Sequence, residues 1–502
     1  MAGLFIGIRS LYGRILAITR NTLETCPMKR TLLALSLVFV LVVPLNATAA
    51  IKTGASCKQA GQTSIFAGKK YTCVKSGKKL VWNKGIAIVK PKPIATPTPT
   101  PTAEPTPTPT ATPTPTREPV AYKSPTVESG NLEVCKLKES SGRRGYTVSG
   151  FPRLESKLAT SGDLKWAIVP VDFEDLRGES GFYTRVQEQM DLASSWIESA
   201  SEGKARISWV THRNWIRLPG STKDYVMPLS STTSNNSNAS TFWKEALEKS
   251  NEMINFSGVQ GIQFILPKGQ TFIGESAKGY FWDSVGNSFT TKEGNTVGFF
   301  TVPGVFYDSE ELGRAWWTLW VKEYTRTIGV AAIGAQRTAT DFQTYTIHGN
   351  TDGERELNGW QRFLIDWIPE RKIYCQSIES FNEVEMTLIP LNDNSIDGYK
   401  MFILKLSETK ALIIESRRST QFACKTPTKR EGVLAYIYDA SLGNGQDFFE
   451  PVAPTGRALE RSSCANPMSA DLMLRTGDSV TTNGITIEVL AHGNLDQIKI
   501  KK

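Results

Sequence analysis

Residues able to carry catalysis are sparse in this chain. It holds three histidines, His212, His348 and His492, and no two of them are four apart, the spacing at which one helix face offers two imidazoles to a metal. No Gly-x-Ser-x-Gly turn is present to expose a nucleophilic serine. One segment still has the pattern of a helix built around a charged group. SEELGRAWWTLWVKEYTRTIG sets Leu312, Trp316, Leu319, Trp320, Tyr324 and Ile328 at helical spacings, which predicts a buried central helix, and sets Glu323 between Lys322 and Arg326. A carboxylate there can serve as a base, or it can form an i,i+3 ion pair with Arg326 and be structural.

The seven cysteines are Cys26, Cys57, Cys73, Cys135, Cys375, Cys424 and Cys464. Removal of an N-terminal leader would discard Cys26 and leave an even set, most simply read as disulfides in an exported chain. Cys57 and Cys73 lie in one short segment and are expected to pair with each other. Cys135, Cys375, Cys424 and Cys464 allow three pairings, and the alternative of zinc ligation lacks the closely spaced pairs such sites use.

The elements that would position these groups fall into two styles. In the first half, KWAIVPVDF (165–173) and GIQFIL (261–266) read as strands, while RVQEQMDLASSWIESA (185–200) and FWKEALEKSNEM (242–253) read as helices. After Cys375 come VEMTLIPL, YKMFILKL, KALIIES, GVLAYIYD, ITIEVLAH and QIKIK, short runs rich in β-branched and aromatic residues and broken by turns. That pattern predicts a β-sandwich.

Five stretches, in order, resemble the immune inhibitor A and gametolysin-like secreted zinc metallopeptidases. They are IVPVDFED (168–175), SEGKARISWVTHRNWIRLP (201–219), KEYTRTIG (322–329), LNGWQRFLIDW (357–367), and the pair ESRR (415–418) with GVLAYIYD (432–439). The resemblance covers roughly residues 160–500 and implies an α+β chain: a zincin-like metallopeptidase domain followed by a C-terminal antiparallel β-sandwich. It also implies zinc, on an HExxHxxG helix aligned with KEYTRTIG. Here the pattern breaks. The first two ligand positions are Lys322 and Arg326 and the third is Ala332, so only Glu323, the general-base position, survives. Lysine and arginine add positive charge and no lone pair, so no zinc or other cofactor is expected on this helix. His348 falls where the family has a methionine turn beneath the metal, and reads either as a lone base or as a satisfied histidine in a turn.

Charge is unevenly distributed. Residues 51–92 hold ten lysines and no acid, whereas residues 93–502 carry −5 out of a whole-chain +9. The large part of the chain is therefore mildly acidic, and no specific nucleic-acid partner is expected of it. The basic segment interleaves Lys69, Lys70, Lys78 and Lys79 with Tyr71 and Trp82, all candidate contacts for an anionic wall polymer or a membrane surface; the plainer reading is that the lysines only keep a small module soluble. It resembles short cysteine-pair modules of secreted actinobacterial proteins. A Thr-Pro repeat over 95–119 follows, an extended spacer rather than a folded element. Upstream, MKRTLLALSLVFVLVVPLNATAA has the basic start, apolar run and small-residue end of a cleaved signal peptide.

The expected organisation is an extended or misassigned start (1–27), signal peptide (28–50), Lys-rich Cys-pair module (51–90), Thr-Pro-rich linker (91–125), metallopeptidase-like domain (126–374) and β-sandwich (375–502). The expected product is secreted, extracellular or wall-associated. Its expected function is that of a pseudopeptidase that binds peptide or cell-surface polymer; the alternatives are an active hydrolase with a non-standard site and a structural surface protein.

Overall fold

The computed structural model describes parts of 54–87 and most of 119–502, with interruptions at 141–146, 154–157, 228–236, 274–276, 281–289, 295–296, 298, 305–314, 334–341, 350–352, 425–429 and 462–467. The signal peptide, the Thr-Pro repeat, Cys26, Cys464, Lys78 and Leu312 lie outside the described residues. The chain divides into two compact units, Met1–Thr110 and Ala111–Lys502. Among the described residues no helix is long and apolar enough to cross a membrane.

In the small unit, strands β1 (Thr63–Phe66), β2 (Lys69–Ser76) and β3 (Lys79–Trp82) form an antiparallel meander, and β4 (Ile86–Ala87) also pairs with β2. Register puts Cys73 opposite Trp82, and the period of two puts Tyr71 on the same face of β2 as Cys73. These three residues are the buried core, with Cys57 and Leu80 packed against them. The expected Cys57–Cys73 disulfide is present. So small an apolar cluster needs such a cross-link to persist.

The large unit is α+β. Its first half is a mixed sheet of β5 (Gly162–Asp172), β6 (Ala205–Thr211), β7 (Ile216–Arg217), β8 (Gly261–Ile265), β9 (Ala277–Tyr280) and β10 (Phe299–Val302). The order is β6-β5-β8-β10-β9, parallel except for the last pair, with β7 beside β5. Successive β5 residues serve opposite cores. Leu164, Trp166 and Ile168 pack with helices α1 (Phe182–Ala200) and α3 (Trp316–Thr327), while Ala167, Val169 and Val171 pack with α2 (Ser237–Asn251). A strand covered on both faces reads as one apolar run, which is why KWAIVPVDF was recognisable.

The second half has two main sheets. One has the order β11 (Ile373–Ser377), β13 (Met401–Lys405), β14 (Lys410–Arg417), β15 (Gly432–Asp439), β16 (Phe449–Pro451); the other has β12 (Glu383–Leu388), β21 (Asp496–Lys501), β20 (Ile485–His492), β19 (Ser479–Thr482). Strands β17 (Leu459–Arg461) and β18 (Met468–Ala470) form a separate ribbon. Both main sheets contribute to one hydrophobic cluster that includes Phe402, Leu412, Val433, Ile487 and Ile498. The expectation of purely antiparallel pairing is corrected at one edge, where β11 runs parallel to β13. This follows from the chain's entry: β11 emerges from the first half and has no hairpin partner in sequence, so it is free to join in parallel.

The two halves are welded together. The other face of β13–β15 buries Met401, Ile413 and Tyr436 against Trp360 and Phe363 of α4 (Gly359–Leu364). A Cys135–Cys375 disulfide closes the first of the undecided pairings, and Cys424 is disulfide-bonded as well. Glu202, just past α1, lies between Lys372 at 2.5 Å and the fully buried Lys400 at 2.9 Å. Lys400 also donates to Leu391 O and Asn394 Oδ1, so its three protons are all taken. Burial pushes this lysine down to about 8, with Glu202 pulling the other way.

Candidate functional site

Helix α3 lies between the mixed sheet and the second half. Trp316, Trp317, Trp320, Val321, Tyr324 and Ile328 join the core cluster of β5 and α1, so the expected buried central helix is present. Tyr324 Oη donates to Ala159 O at 2.5 Å, and its ring meets Trp166 edge-on at 5.2 Å. Trp316 and Trp317 are buried and belong to that core. These contacts fix the rotation of the helix and thereby the direction in which its polar residues project.

Glu323 is buried, at 2% exposure, while Lys322 and Arg326 are half-buried one helical turn apart. All three engage in polar or electrostatic contacts. Past the helix, Ala332 is half-buried and its amide donates to Asn444 Oδ1 at 2.9 Å. The side chains of Lys322, Arg326 and Ala332 are thus an ammonium, a guanidinium and a methyl group, and none can donate an electron pair to a metal. Among the described residues no group of three or more His, Cys, Asp or Glu side chains is placed to hold a metal ion.

The three histidines sit on different elements. His348 is buried beneath α3, its Nε2 2.7 Å from Thr325 Oγ1. Thr325 spends its own proton on Val321 O at 2.6 Å, so its oxygen accepts and His348 Nε2 carries the hydrogen. The imidazole fastens the 346–349 turn to the helix. His212 follows β6, and burial lowers its pKa. His492 meets Asp496 at 2.7 Å, and that buried carboxylate also holds Arg418 and Ser416. This pairing went unnoticed in the sequence, although the four-residue spacing across a tight turn was its signal.

The largest feature that sequence reasoning missed is a buried charged network behind the His348 turn. Arg362 and Glu356, both almost fully enclosed, pair at 3.0 Å. Glu415 accepts from Gly359 N at 2.7 Å, Tyr436 Oη at 2.9 Å and Arg417 Nη1 at 2.9 Å. Arg430 donates to Tyr345 Oη at 2.8 Å and Ala470 O at 2.6 Å. Burial pushes Glu354 up to about 7; Arg417 and Arg430 act against that rise, and Glu356 and Glu431 add to it. The ESRR run therefore contributes three members of buried ion pairs, Glu415, Arg417 and Arg418, rather than a surface patch.

Of the candidate polymer contacts on the small unit, Tyr71 and Trp82 lie in the module's core at 8% and 9% exposure, packed with Cys73. Lys79 is exposed, as are Lys75 and Lys84. Lys69 and Lys70 open β2.

No protein-family model matches the chain, and no curated protein matches it.

Proposed function

We propose that the large unit is a peptidase-like domain that has exchanged catalysis for binding, and that the mature chain works outside the cell, held at an anionic surface by its small unit. The residue set on α3 carries this reading: Glu323 is buried and Lys322 and Arg326 are half-buried, and the resemblance aligns these three with a general base and two zinc ligands. A zincin needs a Lewis acid to lower the pKa of its attacking water. Cations without lone pairs supply positive potential at such a place but hold no metal, so they suit an anionic or carbonyl-bearing group that is bound and not cleaved. The mixed sheet preceding a buried polar helix supports the zincin-like reading, and the core shared by the two later sheets supports the β-sandwich. An extended peptide would lie along β9, at the end of the sheet order.

Two measurements test the reading. Metal analysis of the purified protein is expected to find no stoichiometric zinc, with casein left intact; about one zinc per chain with chelator-sensitive cleavage would sink it. Conversely, Lys322→His, Arg326→His and Ala332→His combined should create a zinc site. A folded triple variant that takes up no zinc would show that α3 does not occupy the place of a metal helix.

A further inference from the structure

We propose that the small unit reads linear phosphodiester polymers through charge alone, without stacking on sugar rings and without inserting into a membrane. The inference rests on the surface-attachment part of the function proposed above and names its ligand class.

Three observations carry it. First, the module's tyrosine and tryptophan are used up by folding: Tyr71 and Trp82 close around Cys73 and the Cys57–Cys73 bridge, so neither offers a ring face to a sugar. Second, among the residues of this unit whose side chains are described, Val74, at 39%, is the one exposed large hydrophobic side chain and the exposed charged ones are all lysines, whereas interfacial binding needs a broad apolar face. Third, Lys75 and Lys79 are exposed on neighbouring strands near the β2–β3 turn and Lys84 is exposed just beyond β3, while residues 51–92 contain no acid that could neutralise them.

What such a surface can recognise follows from the chemistry of lysine. An ammonium is a compact point charge on a flexible stem, suited to phosphate oxygens and indifferent to the geometry of the rest of the ligand. Several ammoniums spread over a small sheet gain most from a chain with one permanent negative charge per repeat, since each contact releases counterions and the contacts sum along the chain. A phosphodiester remains ionised across the pH range of an extracellular environment, and its neighbours along the polymer can slide between lysines. Neutral glycan offers this surface nothing.

The test uses the whole mature chain and poly(glycerol phosphate), with dextran as the neutral glycan, polygalacturonate as a carboxylate polymer, and phosphatidylcholine vesicles containing phosphatidylglycerol. Binding to poly(glycerol phosphate) should weaken on the order of tenfold between 50 and 200 mM salt, the slope expected from about three phosphate contacts. Lys75→Glu, Lys79→Glu and Lys84→Glu combined should abolish that binding; these exposed positions leave the disulfide-held core in place, as circular dichroism would verify. Salt-independent binding, an undiminished triple variant, equal binding to dextran, or a preference for polygalacturonate or vesicles would each overturn the inference. Deleting residues 51–92 separates this from the wider reading. Retention on isolated cell walls that survives the deletion removes the attachment role itself, whereas retention that is lost, without any phosphodiester preference, removes only the ligand class proposed here.

Discussion

Helix α3 and the stretch from Glu354 to Arg362 both set acids beside basic residues, and the fold treats them in opposite ways. In the second stretch the charges are enclosed and matched: Arg362 faces Glu356, and Glu415 next to it collects a backbone amide, a tyrosine hydroxyl and Arg417. On α3 the acid is enclosed while Lys322 and Arg326 remain half-buried at the edge of the core. A buried network of ion pairs and hydrogen bonds specifies packing and resists change. The difference assigns architecture to the enclosed stretch, and the recognition proposed above rests on α3.

The strongest way to break this comparison is to remove one member of the enclosed set. Arg362→Ala removes the guanidinium paired with buried Glu356, which keeps the Thr420 hydroxyl as a donor, and also removes donors to Leu357 O and Leu391 O. Breaking a buried pair on one side costs about 3–5 kcal/mol. Calorimetry should therefore show a large drop in melting temperature, whereas Lys322→Ala should change it little. Comparable losses in the two variants would erase the distinction between the regions.

Legibility in the sequence followed the same divide. The strands KWAIVPVDF, KALIIES and GVLAYIYD and the helix around Trp316–Tyr324 declared themselves, because burial on one or two faces imposes a period that apolar residues display. The Tyr71–Cys73 spacing also held its message, since residues two apart share a strand face; the surrounding lysines drew attention away from it. The charged network was not legible. Glu356, Arg362, Glu415 and Arg417 are types that normally face water, and their burial depends on more than their short-range pairs: Glu415 also needs Gly359 and Tyr436, and Arg362 also needs Leu391 O, partners the fold brings from elsewhere in the chain. The parallel seating of β11 was hidden for a related reason, as it depends on where the first half delivers the chain.

Glu354 gives a second, smaller test. Its folded pKa is raised from 4.5 to about 7, so between those values the folded chain keeps a proton that the unfolded chain has lost. Stability from this group must therefore fall as pH rises through that window and level off above about 7. At about 1.4 kcal/mol per pKa unit the whole effect is at most about 3 kcal/mol. Glu354→Gln keeps the shape and removes the titration. Denaturant unfolding from pH 5 to 8 should show the slope in the parent and a flatter profile in the variant; parallel profiles would mean that the network tolerates an ionised Glu354, and that its charges are less tightly matched than the geometry indicates.

The smallest expected effect probes the joint between the two regions. Thr325 on α3 accepts from His348 Nε2, and the turn that carries His348 leads into the charged stretch, with Ile347 N donating to Glu356 O at 2.8 Å. Thr325→Val keeps the β-branched shape and removes the acceptor, which leaves a buried donor unsatisfied at a cost of about 1–3 kcal/mol, here toward the lower end because the turn retains its backbone bonds. The more telling readout is the ring itself. In the parent, nitrogen NMR should find His348 with a proton on Nε2 engaged by Thr325, and in the variant that signature should weaken as the turn loosens against the helix. An unchanged tautomer signal would mean that Thr325 does not hold His348, and that α3 and the buried network are positioned independently of each other.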